Sequence, residues 1–90
     1  MTAVTGLQDL AELFDGDWAV IIMDSDFTTF EEVETACMSL FGYTRAEAEN
    51  LSMRVHTTGE ALATVQPEAQ ARSSVRRLKA RNVLARTERA

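Results

Sequence analysis

The sequence predicts a single α+β domain with elements in the order strand, helix, helix, strand, helix, strand. Three observations predict it. Residues 18–23 form a nearly unbroken apolar run rich in Val and Ile. Two Thr-x-x-Glu boxes each open a stretch with apolar residues at helical spacing. The one proline, Pro67, separates a short apolar run from a third amphipathic stretch. Ninety residues suffice for one small domain with a thin core.

Taken in order, residues 1–17 read as a short leader, in which Leu7, Leu10, Leu13 and Phe14 offer at most a helical turn. The domain proper is expected over 18–90. Trp18 to Met23 lies between Gly16-Asp17 and Asp24-Ser25, which marks a strand buried on both faces. Thr28 or Thr29 then caps a helix whose Phe30, Val33, Cys37, Leu40 and Phe41 share one face, and Gly42 stops it. Thr44 with Glu47 opens a second helix bearing Ala48, Leu51, Ser52 and Val55, and Thr57-Thr58-Gly59 breaks it. Ala61 to Val65 is a short strand. The third helix runs from Pro67 through Ala71, Val75 and Leu78 to Asn82, and Val83 to Arg89 closes the chain as a strand.

Charge is unevenly spread. Residues 1–66 carry twelve acids and two bases, −10, and residues 67–90 carry seven bases and two acids, +5; together these give the chain's −5. An acidic majority opposes nucleic acid as the main partner, because phosphate neutralisation drives that binding. No apolar run approaches the roughly 20 residues of a membrane span, and no secretory signal is visible. The one cysteine, Cys37, has no internal partner, which fits a reducing, cytoplasmic setting and a core position on the first helix.

The chemistry concentrates where the first strand ends. Asp24 and Asp26 lie two apart, so an extended backbone points both the same way. Two adjacent carboxylates repel, and they need a cation or open solvent. The plainest alternative is a solvated strand end leading into a helix N-terminus, where acids are favoured. A phosphotransferase reading of Asp24-x-Asp26-x-Thr28 lacks later acidic pairs, and Lys79 is the only lysine. A calcium loop wants Gly and Glu where Thr29 and Thr35 stand. No cofactor, no metal and no enzymatic activity are expected. A third option is a pocket whose cation is an organic ammonium, which brings three donors.

The stretch Trp18 to Val65 resembles the ClpS family, adaptors of Clp proteases that recognise N-degrons. The residues that carry the resemblance are Val20-Ile21-Ile22-Met23, Asp24-Ser25-Asp26-Phe27-Thr28, Phe41-Gly42-Tyr43, Ala48, Val55-His56 and Gly59, in that order and without a gap. The resemblance implies a three-stranded antiparallel sheet packed on helices. It also implies an adaptor that binds the bulky hydrophobic first residue of a substrate through its free α-amine, and delivers the substrate to an ATP-dependent Clp AAA+ unfoldase. By position, Asp24, Asp26 and His56 would hold the amine, and Thr28, Phe30, Ser52, Val55 and Val83 would form the pocket. The implied partners are N-terminal segments of substrates and the N-domain of the unfoldase; a monomer without nucleic acid or membrane contact is expected.

Departures from the family pattern are specific. Asp24 replaces an Asn, Ser25 an Asp, and Phe30 and Ser52 each a Met; the segment around the third helix is shorter and reads Pro67-Glu68-Ala69-Gln70-Ala71-Arg72-Ser73-Ser74. A larger residue at 30 and a smaller one at 52 either reshape the pocket or let Phe30 fill it. The alternative function is a diverged module that binds protein or peptide but no longer delivers N-degron substrates.

Overall fold

The computed structural model describes residues 17–90. Its elements are β1 (Asp17–Met23), α1 (Phe30–Phe41), α2 (Arg45–Thr58), β2 (Glu60–Pro67), α3 (Glu68–Ala80) and β3 (Ala85–Arg89). The sheet is antiparallel throughout, in the order β2-β1-β3. This is the α+β architecture the sequence predicts. The leader expected at 1–17 falls almost wholly outside the described residues; Asp17 itself begins β1.

Central placement explains why β1 is apolar on both faces. Val20 and Ile22 are fully buried against the helices. Ala19 and Ile21, on the other face, are 7 % exposed; Ile21 stands opposite Leu62 on one side and Arg86 on the other. Beyond these, the core takes Val33, Ala36 and Cys37 from α1, Ala48, Leu51 and Val55 from α2, and Ala71 and Leu78 from α3. Burial pushes the Cys37 thiol up to about 12, so it stays a neutral core group.

Both capping boxes form. Thr29 and Thr44 each accept the backbone N–H of the glutamate three residues on, and that glutamate accepts the threonine N–H in return. Of the two candidate caps, Thr29 is used, which leaves Thr28 free for another task. Gly42 and Gly59 end the first two helices at φ 71° and 94°, left-handed values that glycine adopts at no steric cost. Thr44→Ala should cost about 1 kcal/mol, read from a urea midpoint, because it orphans the N–H of Glu47.

Three boundaries differ from the sequence reading. β2 runs from Glu60 to Pro67 because its polar ends sit on a sheet edge, where hydropathy gives no mark. α3 stops at Ala80, two residues before Asn82, which takes a left-handed φ of 67°. β3 starts at Ala85, since Val83 is drawn into the core and Leu84 passes its carbonyl to the Met23 N–H at 2.9 Å. One register shift in the β1–β2 pairing leaves Ala63 without a partner. The Tyr43 hydroxyl donates to the Ala63 carbonyl and so pins the α1–α2 corner to the sheet. Trp18, the other aromatic with a structural part, lies under the Arg72 guanidinium at 5.7 Å.

Candidate functional site

The end of β1 meets the end of α2. The Asp24 N–H donates to the Gly59 carbonyl at 2.8 Å, which sets Asp24 beside the last turn of α2, where His56 lies. A tight turn follows: the Thr28 N–H donates to Ser25 O at 3.1 Å, with Asp26 and Phe27 at its centre. Asp24 Oδ1 accepts the Ser25 N–H at 3.0 Å and Ser25 Oγ accepts the Phe27 N–H at 3.2 Å, so the turn is braced by its own side chains.

Six residues that the sequence singles out converge here. Asp24, Thr28, Phe30, Ser52, Val55 and His56 line one cavity between the strand end and the two helices. Ser52 and Val55 are buried, while Asp24 and His56 are exposed at its mouth. Asp26 is exposed at the centre of the turn and does not line this cavity. Val83 is buried in the core and lines an adjoining cleft instead. Among the described residues neither Asp24 nor Asp26 forms an ion pair, and no three metal-ligating side chains stand together.

The space between these side chains is small. The cavity holds only about 10 Å³, room for a single water molecule at most. The Phe30 ring meets the His56 ring edge-on, with centroids 4.8 Å apart and an interplanar angle of 67°. Beneath it, Ser52 Oγ makes a long 3.5 Å contact to the Phe30 carbonyl. The outer side of the ring faces solvent, with Phe30 42 % exposed. Phe30 thus stands as one wall of a very small space, with its ring half in solvent.

Asn82 is the residue that sequence reasoning assigned only to helix termination. Thr28 Oγ1 donates to its carbonyl at 2.7 Å, and its side-chain amide donates to Phe27 O at 2.6 Å and to both Glu32 carboxylate oxygens at 3.2 Å. These bonds join the turn, the start of α1 and the end of α3. The sole local signal was an Asn after a helix, a residue type that tolerates left-handed backbone. The backbone N–H of Thr29 first, and Asn82 second, hold the Glu32 carboxyl below its ordinary range. Glu47 is lowered likewise by Thr44, and Glu60 by Arg86.

A carboxyl whose pKa is lower in the folded state contributes stability that is fully present above its unfolded value of 4.5 and is lost as pH falls through the folded value. The urea midpoint should therefore hold between about pH 7 and 5 and drop by about pH 3.5, and Glu32→Gln should soften that drop. An unchanged midpoint at low pH would remove these carboxylates from the stability of the domain.

Comparison with known proteins gives the family and the fold. The pattern of the family described as ATP-dependent Clp protease adaptor protein ClpS matches residues 15–86. The chain is similar to the ATP-dependent Clp protease adapter protein ClpS of Rhodococcus opacus, 28 % identical over 81 residues, covering 90 % of this chain and 72 % of the relative. It is similar to that of Nocardia farcinica at 28 % identity over 81 residues, covering 90 % and 76 %. The namesake from Treponema denticola is 38 % identical over 45 residues, half of this chain and 45 % of the relative. A solved structure of Agrobacterium tumefaciens ClpS2 bound to L-phenylalaninamide has the same fold, with a TM-score of 0.79 at 17 % identity, covering 83 % of this chain and 98 % of that one. With four fifths of its length matched and its strand, turn and helix residues in the expected places, the chain belongs to the ClpS family of Clp protease adaptors.

Proposed function

We propose that this chain binds the free N-terminal residue of peptides and proteins and delivers them to an ATP-dependent Clp AAA+ unfoldase. The observation that carries the reading is the meeting of Asp24 and His56 at the mouth of one cavity walled by Phe30, Ser52 and Val55. An α-ammonium supplies the cation that Asp24 lacks, and the first side chain enters behind it. Asp24 accepts one N–H, neutral His56 accepts a second, and Asp26 adds negative field from the turn without direct contact. The relative with the same fold is bound to an amino-acid amide, a small molecule with a free α-amine, which supports a like ligand here. The role is binding without turnover, by a monomer in the cytoplasm, and Clp docking uses α3. That helix exposes Arg72, Arg76, Arg77 and Lys79, so the docking face is basic.

The alternative reading, a diverged module that binds protein or peptide without delivering it, draws on the small size of the cavity. One titration separates the two. Fluorescence anisotropy with labelled peptides beginning in Leu, Phe, Tyr, Trp, Ile or Met, each with an N-acetylated twin, should show binding of free peptides only. Equal binding of the twins would sink N-terminus recognition. Degradation of a reporter by a Clp protease, with and without the chain, then tests delivery.

A further inference from the structure

Next to the small cavity lies a cleft of about 270 Å³ lined by Ser25, Phe27, Thr28, Lys79, Val83 and Leu84. Ser25 and Thr28 line both spaces, so the two adjoin at these residues. Two large apolar side chains stand at the cleft and face solvent: Phe27 is 84 % exposed and Leu84 43 %. They are not loosely held. The Phe27 carbonyl accepts from the Asn82 amide, the Thr28 hydroxyl donates to the Asn82 carbonyl, and the Leu84 carbonyl accepts from the Met23 N–H. These bonds tie the turn to the segment after α3, so the cleft has its walls fixed before any ligand arrives. Buried Val83 forms an apolar floor, and the Lys79 stem adds further methylenes while its ammonium remains in water. An exposed phenyl ring beside an exposed leucine, both on braced backbone, is apolar surface that binding can cover at little cost in ordering.

We propose that this cleft is a subsite for the second residue of an N-terminal peptide and takes an apolar side chain. The proposal rests on the N-terminus reading above. A peptide whose α-amine sits at Asp24 and His56 has its first side chain directed at Phe30, Ser52 and Val55. Its next residue emerges past Ser25 and Thr28, the residues the two spaces share, and there meets Phe27 and Leu84.

The test uses the full chain and peptides with one fixed bulky first residue, a free α-amine, and Gly, Ala, Leu or Phe at the second position. Anisotropy titration should show affinity rising from Gly to Leu by about five- to tenfold, from the apolar area covered. Phe27→Ser and Leu84→Ser should each flatten that rise while leaving the Gly-second peptide unchanged. The exposure of Phe27 makes its variant the safer one for folding, which circular dichroism verifies. If all peptides bind equally and lose binding on acetylation, the subsite is overturned and the N-terminus reading stands. If no free peptide binds, or acetylated twins bind as well, both fall together.

Discussion

Acetylating the α-amine of a bound peptide should lower its affinity by about a hundredfold. Acetylation removes the positive charge and two of three donors, and it leaves the Asp24 carboxylate facing an amide. A charge-assisted hydrogen bond is worth about 1.5–3 kcal/mol, and 1.4 kcal/mol is tenfold in affinity. Asp24 is exposed, so solvent screening reduces each bond toward the low end of that range. Two such bonds still give roughly two orders of magnitude. Asp24→Ala should act nearly as strongly, whereas Asp26→Ala should act less, since Asp26 lies outside the cavity lining. Raising the pH from about 7 to about 9 should weaken the free peptide alone, because an α-amine loses its proton near pH 8. Parallel pH curves for free and acetylated peptides would deny the ammonium a part in binding.

Phe30→Ala should raise affinity for peptides with a bulky first residue by about two- to tenfold. With about 10 Å³ available, the cavity admits no more than a methyl group unless the ring moves. Moving it breaks the edge-on contact with His56, worth about 0.5–1.5 kcal/mol. The incoming side chain then gains about 1.5–3 kcal/mol from burial, part of which is spent on displacing the ring. Alanine removes the competitor and leaves the full burial term to the ligand. Because Phe30 is already 42 % exposed, the variant should lose far less stability than a core Phe→Ala change. The same titration reads the outcome: unchanged affinity for Phe-first or Leu-first peptides would mean that the first side chain lies elsewhere.

Features written in local sequence were legible, and those written across the fold were not. Capping boxes at Thr29 and Thr44 and stops at Gly42 and Gly59 depend on neighbours within a few residues, and each formed where expected. The apolar run in β1 announced a central strand. The length of β2 was hidden because Glu60 and Gln66 are polar residues on an edge. Val83 and Leu84 look like strand but serve the core and one bond to Met23. Asp24 and His56 were joined through family resemblance, since no periodicity relates a strand end to a helix end. The substitutions at 30 and 52 told of an altered pocket, but its small size was not legible. It depends on how the Phe30 and His56 rings meet across two helices, a contact no local pattern records.

The order β2-β1-β3 has a consequence for synthesis. The central strand is made first, yet both its neighbours come later: Ile22 pairs with Ala61 and with Ala85. Until residues 85–89 leave the ribosome, β1 carries an open, strongly apolar edge, and Asn82 has no fixed place from which to brace the turn. Such long-range closure slows folding, because chain entropy is lost before the contacts repay it. The turn after β1 is thus made before β2, α3 and β3, yet it is braced only once Asn82 has followed.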